Sequence, residues 1–147
     1  MLNSFFLFNN YSNMKLNVAN LKVIVLSIVL FLVLDALFIG AFMKDWQSLL
    51  LRVQGEKMEV RMGSAIGAYV LMVVAWVYFV YRPYLVHKSI GQAVKTGAVL
   101  GFVIYGIFEL TNFAIIKKWN MKFVLLDTFW GATLYALVSY FTLSLLK

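Results

Sequence analysis

Four long apolar windows constrain the fold of this chain more than any other feature. They run from Val23 to Met43, Met62 to Tyr81, Thr96 to Ile116 and Phe123 to Leu146. Each window is about 20 to 24 residues long, which is enough for a helix to cross the ~30 Å hydrocarbon core of a bilayer. None shows the strict alternation of a barrel strand. The sequence therefore predicts an all-α fold, a four-helix transmembrane bundle with up-down topology and both termini on the same side.

Composition agrees with a membrane protein and excludes several other classes. Hydrophobic residues make up 63% of the 147 residues and charged residues only 13%, which is too little polar surface for a soluble domain of this size. The net charge of +7 comes from basic residues that flank the windows, so we interpret them as membrane anchors and expect no nucleic acid partner. The expected partner is the lipid bilayer, and the expected location is integral and multi-pass. With no cysteine and a single histidine, His87, we expect no metal site and no cofactor.

The segments outside the windows divide the chain further. Residues 1–20 are rich in Asn and Phe and are expected to be a tail, which an alternative start at Met14 would make dispensable. Residues 21–147 are expected to be a single transmembrane domain. Pro83, just past the second window, is expected to stop that helix. The six-residue turn KKWNMK makes the third and fourth helices antiparallel neighbours. We also interpret the aromatic residues near the end of the second window as an interfacial belt: Trp76, Tyr78, Tyr81 and Tyr84.

The first connection, Lys44 to Arg61, has a helical pattern of its own. Trp46, Leu49, Leu50 and Val53 fall at helical spacing, which predicts a short interfacial helix that breaks near Gly55. An ordinary polar loop is the alternative, because the periodic run is short.

Small residues indicate where helices approach closely. Gly63 and Gly67 on the second helix, and Gly97 and Gly101 on the third, follow the small-xxx-small pattern, and Gly131 is the candidate on the fourth. Such pairs are common in membrane helices, so packing within one chain is favoured over a homodimer face.

Three acidic residues lie inside the windows, and they are the most informative feature for function. They are Asp35, Glu109 and Asp127. Each lies roughly 7 to 13 Å along its helix axis from the lysine that flanks its window on the side of the first and third loops. In a four-span topology the first and third loops share a side, so all three carboxyls fall in the same half of the bilayer. On the third helix, Gly97, Gly101, Tyr105 and Glu109 form one stripe at four-residue spacing.

If these faces point inward, the acids converge on one polar cluster with neighbouring hydrogen-bonding groups. The expected members of this cluster are Asp35, Glu109, Thr111, Asn112, Asp127 and Trp130, with Thr128 as a further candidate. No lysine or arginine lies inside a window, and ionised carboxylates without partners would cost several kcal/mol each in the membrane interior. We therefore expect at least one of them to carry a proton, or a cation or a water-filled cavity to stabilise them.

Several of these residues belong to longer blocks that resemble a known family. The blocks are LDALFIG (Leu34 to Gly40), ELTNFA (Glu109 to Ala114), Trp119 in the short turn, and LDTFWG (Leu126 to Gly131). They resemble the signature blocks of domain of unknown function family 2177, a group of small four-helix integral membrane proteins, mostly bacterial. The likeness runs from about Leu21 to the C-terminus and is most specific in the second half.

The resemblance implies the same fold and the same polar positions. Those positions are Asp35, Glu109, Thr111, Asn112, Asp127, Trp130 and Gly131. The sequence departs from the family pattern at three places: Glu109 stands where an Asp is usual, Phe38 where a Trp is usual, and Asn120 where a Pro is common. The family has no established activity, so the resemblance implies no particular reaction.

Three hypotheses for function remain open on the sequence. The first is that the acid cluster binds a proton, a cation or a small polar solute, as in a transporter, for which four helices would need a homodimer. The second is a structural or scaffold protein whose protonated acids hold helices together. The third is an embedded enzyme that uses acid–base chemistry on a lipid-soluble substrate. An enzyme is the least favoured, because no nucleophile with a matched base is present.

Overall fold

The four predicted helices are present, and they form most of the described chain. The computed structural model describes residues 18–145, which contain no strand. Helix α1 is Val18–Gln54, α2 is Met62–His87, α3 is Ile90–Ile115 and α4 is Met121–Leu145. Each is long and apolar enough to cross a membrane, so the predicted four-helix transmembrane bundle is confirmed. The tail before Met14 and the last two residues lie outside the described residues.

Helix α1 is longer than a membrane crossing requires. It has 37 residues, or ~55 Å, against a hydrocarbon core of ~30 Å. The prediction of a separate short interfacial helix in the first loop was wrong, because residues 44–54 are helical but continue α1 without a break. The helix ends where expected, next to Gly55, which has a φ of 78°. Nothing between Gly40 and Gly55 breaks a helix, and a charged residue such as Lys44 marks the edge of the membrane rather than the end of the helix.

The extension of α1 is held by the turn between α3 and α4. Leu49 is fully buried there among three residues of the turn and of α4, namely Trp119, Phe123 and Val124. Trp46 also packs on Phe123, with ring centroids 4.7 Å apart. The apolar residues that suggested an interfacial helix therefore contact protein. They attach the end of α1 to the turn between α3 and α4.

Helix α2 passes through Pro83, so the prediction that this proline stops the helix was wrong. The reason is a π-helical turn at Val77–Tyr81, in which the N–H of Arg82 donates to the carbonyl of Val77, five residues back. Such a widened turn re-pairs backbone groups that a proline would otherwise disrupt. The helix ends at Lys88, which adopts a left-handed conformation with a φ of 53°.

Two aromatic residues near the π turn lie in the core, which corrects the belt interpretation for them. Trp76 is fully buried and its indole N–H donates to Ser139 Oγ at 2.9 Å. The buried Tyr81 hydroxyl donates to Asn20 Oδ1 at 2.7 Å. Amphipathic rings can enter a core when their polar tips find such partners. Tyr78, in contrast, is exposed.

Helices α3 and α4 pack at close range through glycines. A Cβ on Gly101 would lie 2.6 Å from the carbonyl carbon of Gly131, and a Cβ on Gly97 would lie 2.9 Å from the Tyr135 carbonyl oxygen. Only a glycine permits backbones to approach so closely. These glycines fix the depth of the carboxyls on α3 relative to those on α4.

The glycine pair on α2 behaves differently. Gly63 and Gly67 are exposed, and a Cβ on either would meet nothing within 4 Å. The expectation that this pair packs within one chain is therefore wrong, because the inward face of α2 is formed by Tyr69, Val73 and Trp76. A homodimer face at the two glycines stays a prediction.

Candidate intramembrane carboxyl site

Asp35 is held from two sides by donors on other helices. It lies on the inward face of α1 and is 8% exposed. One carboxylate oxygen accepts from the Tyr69 hydroxyl at 2.7 Å, and the other accepts from the Trp130 indole N–H at 2.9 Å. The Trp130 ring in turn stacks on Phe38, with centroids 4.3 Å apart. Asp35 therefore ties α1 to α2 and α4 and has a fixed orientation.

Glu109 is sealed inside the bundle close to the α3–α4 turn. It is fully buried, and its Oε2 accepts from the Trp119 indole N–H at 2.8 Å. Its other oxygen, Oε1, is also buried and receives no donor from a described protein group. Asp127 of α4 is a neighbour of Glu109, but no hydrogen bond joins the two carboxyls in the described structure. Glu109 is therefore the most enclosed of the three acids.

Asp127 is a neighbour of both other acids. It lines the same cavities as Asp35 and Tyr105, and it is close enough to Glu109 for their charges to interact. Within residues 18–145, no group of three acidic or histidine side chains is arranged to hold a metal ion. The three acids are therefore neighbours that do not surround a common point.

The remaining predicted members divide between the inside and the outside of the bundle. Asn112 is half-buried, and its buried Nδ2 has no acceptor in the described part of the protein. Thr128 is buried beside Gly106, and its Oγ1 is likewise without a partner there. Thr111 is exposed, so its inclusion in the cluster was wrong. Thr111 comes two residues after Glu109, a rotation of about 200° that places it on the opposite face of α3.

Sequence reasoning missed the two tyrosines of the site, Tyr69 and Tyr105. Tyr105 did carry a signal, because it lies one turn before Glu109 on the stripe that begins at Gly97. Tyr69 carried none, since it lies on the one helix whose window has no acidic residue and its partner Asp35 is distant in sequence.

Two clefts meet at Asp35, Tyr105 and Asp127. The first has a volume of about 730 Å³ and lies between α2 and α3. The second has a volume of about 230 Å³ and extends toward the first loop. Beyond the shared residues, the second cleft is lined by Phe38, Ile39, Met43, Trp46, Leu50 and Met58. Glu109 lines neither cleft, so the aspartates are the acids that a ligand would meet.

Comparison with known protein families shows which family this chain belongs to. Residues 20–144 match the model of a family described as Predicted membrane protein (DUF2177). The chain belongs to this family. No curated protein and no solved structure shows significant similarity to it. The DUF2177 match confirms the resemblance noted in the sequence and establishes a multi-pass integral membrane protein in contact with the bilayer, so the chemistry has to be argued from the site.

The blocks that carry the DUF2177 resemblance meet at this site. LDALFIG supplies Asp35, and LDTFWG supplies Asp127 and Trp130. Glu109 begins the ELTNFA block and accepts the hydrogen bond of the turn tryptophan, Trp119. Blocks that are far apart in sequence are therefore joined by hydrogen bonds, Asp35 to Trp130 and Glu109 to Trp119.

Proposed function

We propose that this member of the DUF2177 family binds a proton, or a cationic or polar group, at the Asp35–Asp127 pair inside the membrane. The observation that supports the proposal is that two clefts of different direction end at the same pair of carboxyls. Intramembrane acids are costly, and they usually mark sites for ions, protons or substrates. A group that passed from one cleft to the other beside Tyr105 would make the pair a step in transport.

Interhelical hydrogen bonding is the second candidate role, and specific contacts favour it for one of the acids. Glu109 is bound by Trp119 and lines no cleft, which suits a structural role. Asp35 also accepts two interhelical bonds, each worth about 0.6 to 2 kcal/mol in a membrane protein. A purely structural role gives no reason for clefts that lead to Asp35 and Asp127. We therefore assign Glu109 to stability and the aspartate pair to binding.

Infrared spectroscopy of the protein in lipid tests the proposal. We expect a band from a protonated carboxyl that shifts in heavy water, because the clefts give a proton bound at the aspartate pair a way to exchange. Asp127→Asn should remove the exchanging band, since Asp35 then has no second carboxyl with which to hold the proton. Asp45→Asn, at an exposed position on α1, is the control and should keep it. A band that survives Asp127→Asn, or that does not shift in heavy water, would contradict a proton-binding site.

A further inference from the structure

The larger cleft is polar at its inner end and apolar elsewhere. Its lining includes two acids, Asp35 and Asp127, and three tyrosines, Tyr69, Tyr78 and Tyr105, and no lysine or arginine is among its lining residues. The volume of about 730 Å³ lies within the range of about 300–1,000 Å³ that is usual for small-molecule sites. The charge at the inner end is negative and is not neutralised by a basic side chain of the lining.

The cleft opens sideways, toward the lipid. Helix α2 packs on α3 mainly at its π turn, and its first half leaves a gap beside α3. Two small residues of α2 that line this gap, Ala65 and Ala68, leave room for a ligand. Large apolar side chains that line the cleft, such as Leu71 and Phe108, are more than half exposed at 71% and 57%. In a four-span protein such exposed apolar side chains face acyl chains, so an apolar tail could enter from the bilayer.

We propose that this cleft binds a single-chain amphiphile with a cationic amine head, an inference that rests on the proposed function of the aspartate pair. An ammonium group has three donors and no acceptor, which complements the carboxylates of Asp35 and Asp127 and the hydroxyl oxygen of Tyr105. Charge-assisted hydrogen bonds of this kind are the strong ones. The tail lies between α2 and α3 against the alanines of α2. An anionic head would be repelled by the same carboxyls, and a free inorganic cation would make no use of the apolar cleft.

Binding of three twelve-carbon probes that differ only in the head group tests the inference. The full-length protein is placed in lipid nanodiscs, and dodecylamine, dodecanol and dodecanoate are titrated with native mass spectrometry as the readout. We expect one dodecylamine per chain, with an affinity about tenfold or more above the other two because only the amine forms charge-assisted bonds. Asp127→Asn should lower the dodecylamine affinity by about tenfold or more, since a charged partner is lost.

Three matched alanine-to-phenylalanine variants test the place of the tail. Ala68→Phe fills the cleft, and Ala65→Phe is a second blocking variant in case the first does not fold. Ala41→Phe makes the same change at an exposed position of α1 that does not line the cleft. We expect the blocking variants to lose dodecylamine binding and Ala41→Phe to keep it.

The outcomes separate this inference from the proposed function. If ethylamine binds as tightly as dodecylamine, or if both blocking variants bind normally, the tail site is overturned while the aspartate pair stands. Equal affinity for the three head groups would overturn the cationic head. If dodecylamine does not bind but the infrared band behaves as proposed, only this inference is lost. A band that is insensitive to Asp127→Asn would remove the proposed function itself.

Discussion

Replacing Gly101 with alanine is expected to destabilise the bundle by about 3 kcal/mol, at the upper end of the usual cost of overpacking. The new Cβ would lie 2.6 Å from the Gly131 carbonyl carbon. That atom belongs to the backbone of α4, so a side chain cannot rotate away to make room, and the two helices must separate. Their separation would also move Glu109 relative to Asp127. Reversible unfolding in SDS, followed by circular dichroism, measures the change.

Gly67→Ala is the matched control for this substitution. It also replaces a helical glycine of a small-xxx-small pair, but a Cβ at this position meets nothing within 4 Å. Alanine has a higher helix propensity than glycine by about 1 kcal/mol, so we expect the control to be neutral or slightly stabilising. Similar losses of stability in both variants would show that the close contact of α3 and α4 does not decide the effect. A large loss in the Gly67 variant alone would favour a homodimer face on α2.

Replacing Trp119 with phenylalanine is expected to cost about 2 to 3 kcal/mol of stability, the usual cost of leaving a buried polar group without its partner. The change removes the only described donor to the fully buried Glu109 carboxyl, whose bond to the indole is 2.8 Å long. The ring itself is largely retained, so the packing against Leu49 changes little. The same unfolding measurement gives the loss.

A second background and a second tryptophan show whether the carboxyl is responsible. In the Glu109→Met background, Trp119→Phe should be nearly neutral, because both partners are then apolar. Trp46→Phe makes the same chemical change in a residue that also packs on Phe123, with ring centroids 4.7 Å apart. Its effect should be below about 1.5 kcal/mol, as for a substitution that conserves most of the volume. An equal effect of Trp119→Phe in both backgrounds would contradict a structural role for this hydrogen bond.

Some parts of the fold and site could be predicted because they depend on the chemistry of single residues. Apolar windows of membrane length locate the four spans, and a carboxyl in such a window stands out whatever its surroundings. This is why Asp35, Glu109 and Asp127 were found. Helical periodicity then places Trp130 on the face of Asp127, where its indole binds Asp35.

Other parts depend on tertiary contacts that a linear pattern does not contain. The extension of α1 is stabilised by Trp119 and its neighbours in a distant turn. The helix therefore continues past Lys44, where the charge pattern had predicted its end. Pro83 stays helical because of the π turn before it. Tyr69 is a neutral residue on a helix without acids, and only the packing of α2 on α1 brings its hydroxyl to Asp35.

The central claim is that the aspartate pair is open to the membrane through the clefts whereas Glu109 is sealed. Modification by dicyclohexylcarbodiimide, an apolar reagent that reacts with protonated carboxyls, tests it most directly. The protein in lipid is treated and the modified residues are located by peptide mass spectrometry. We predict modification at Asp127, little at the fully buried Glu109, and a marked reduction at Asp127 in Ala68→Phe but not in Ala41→Phe. Modification of Glu109 as extensive as that of Asp127, or no effect of Ala68→Phe, would contradict the account.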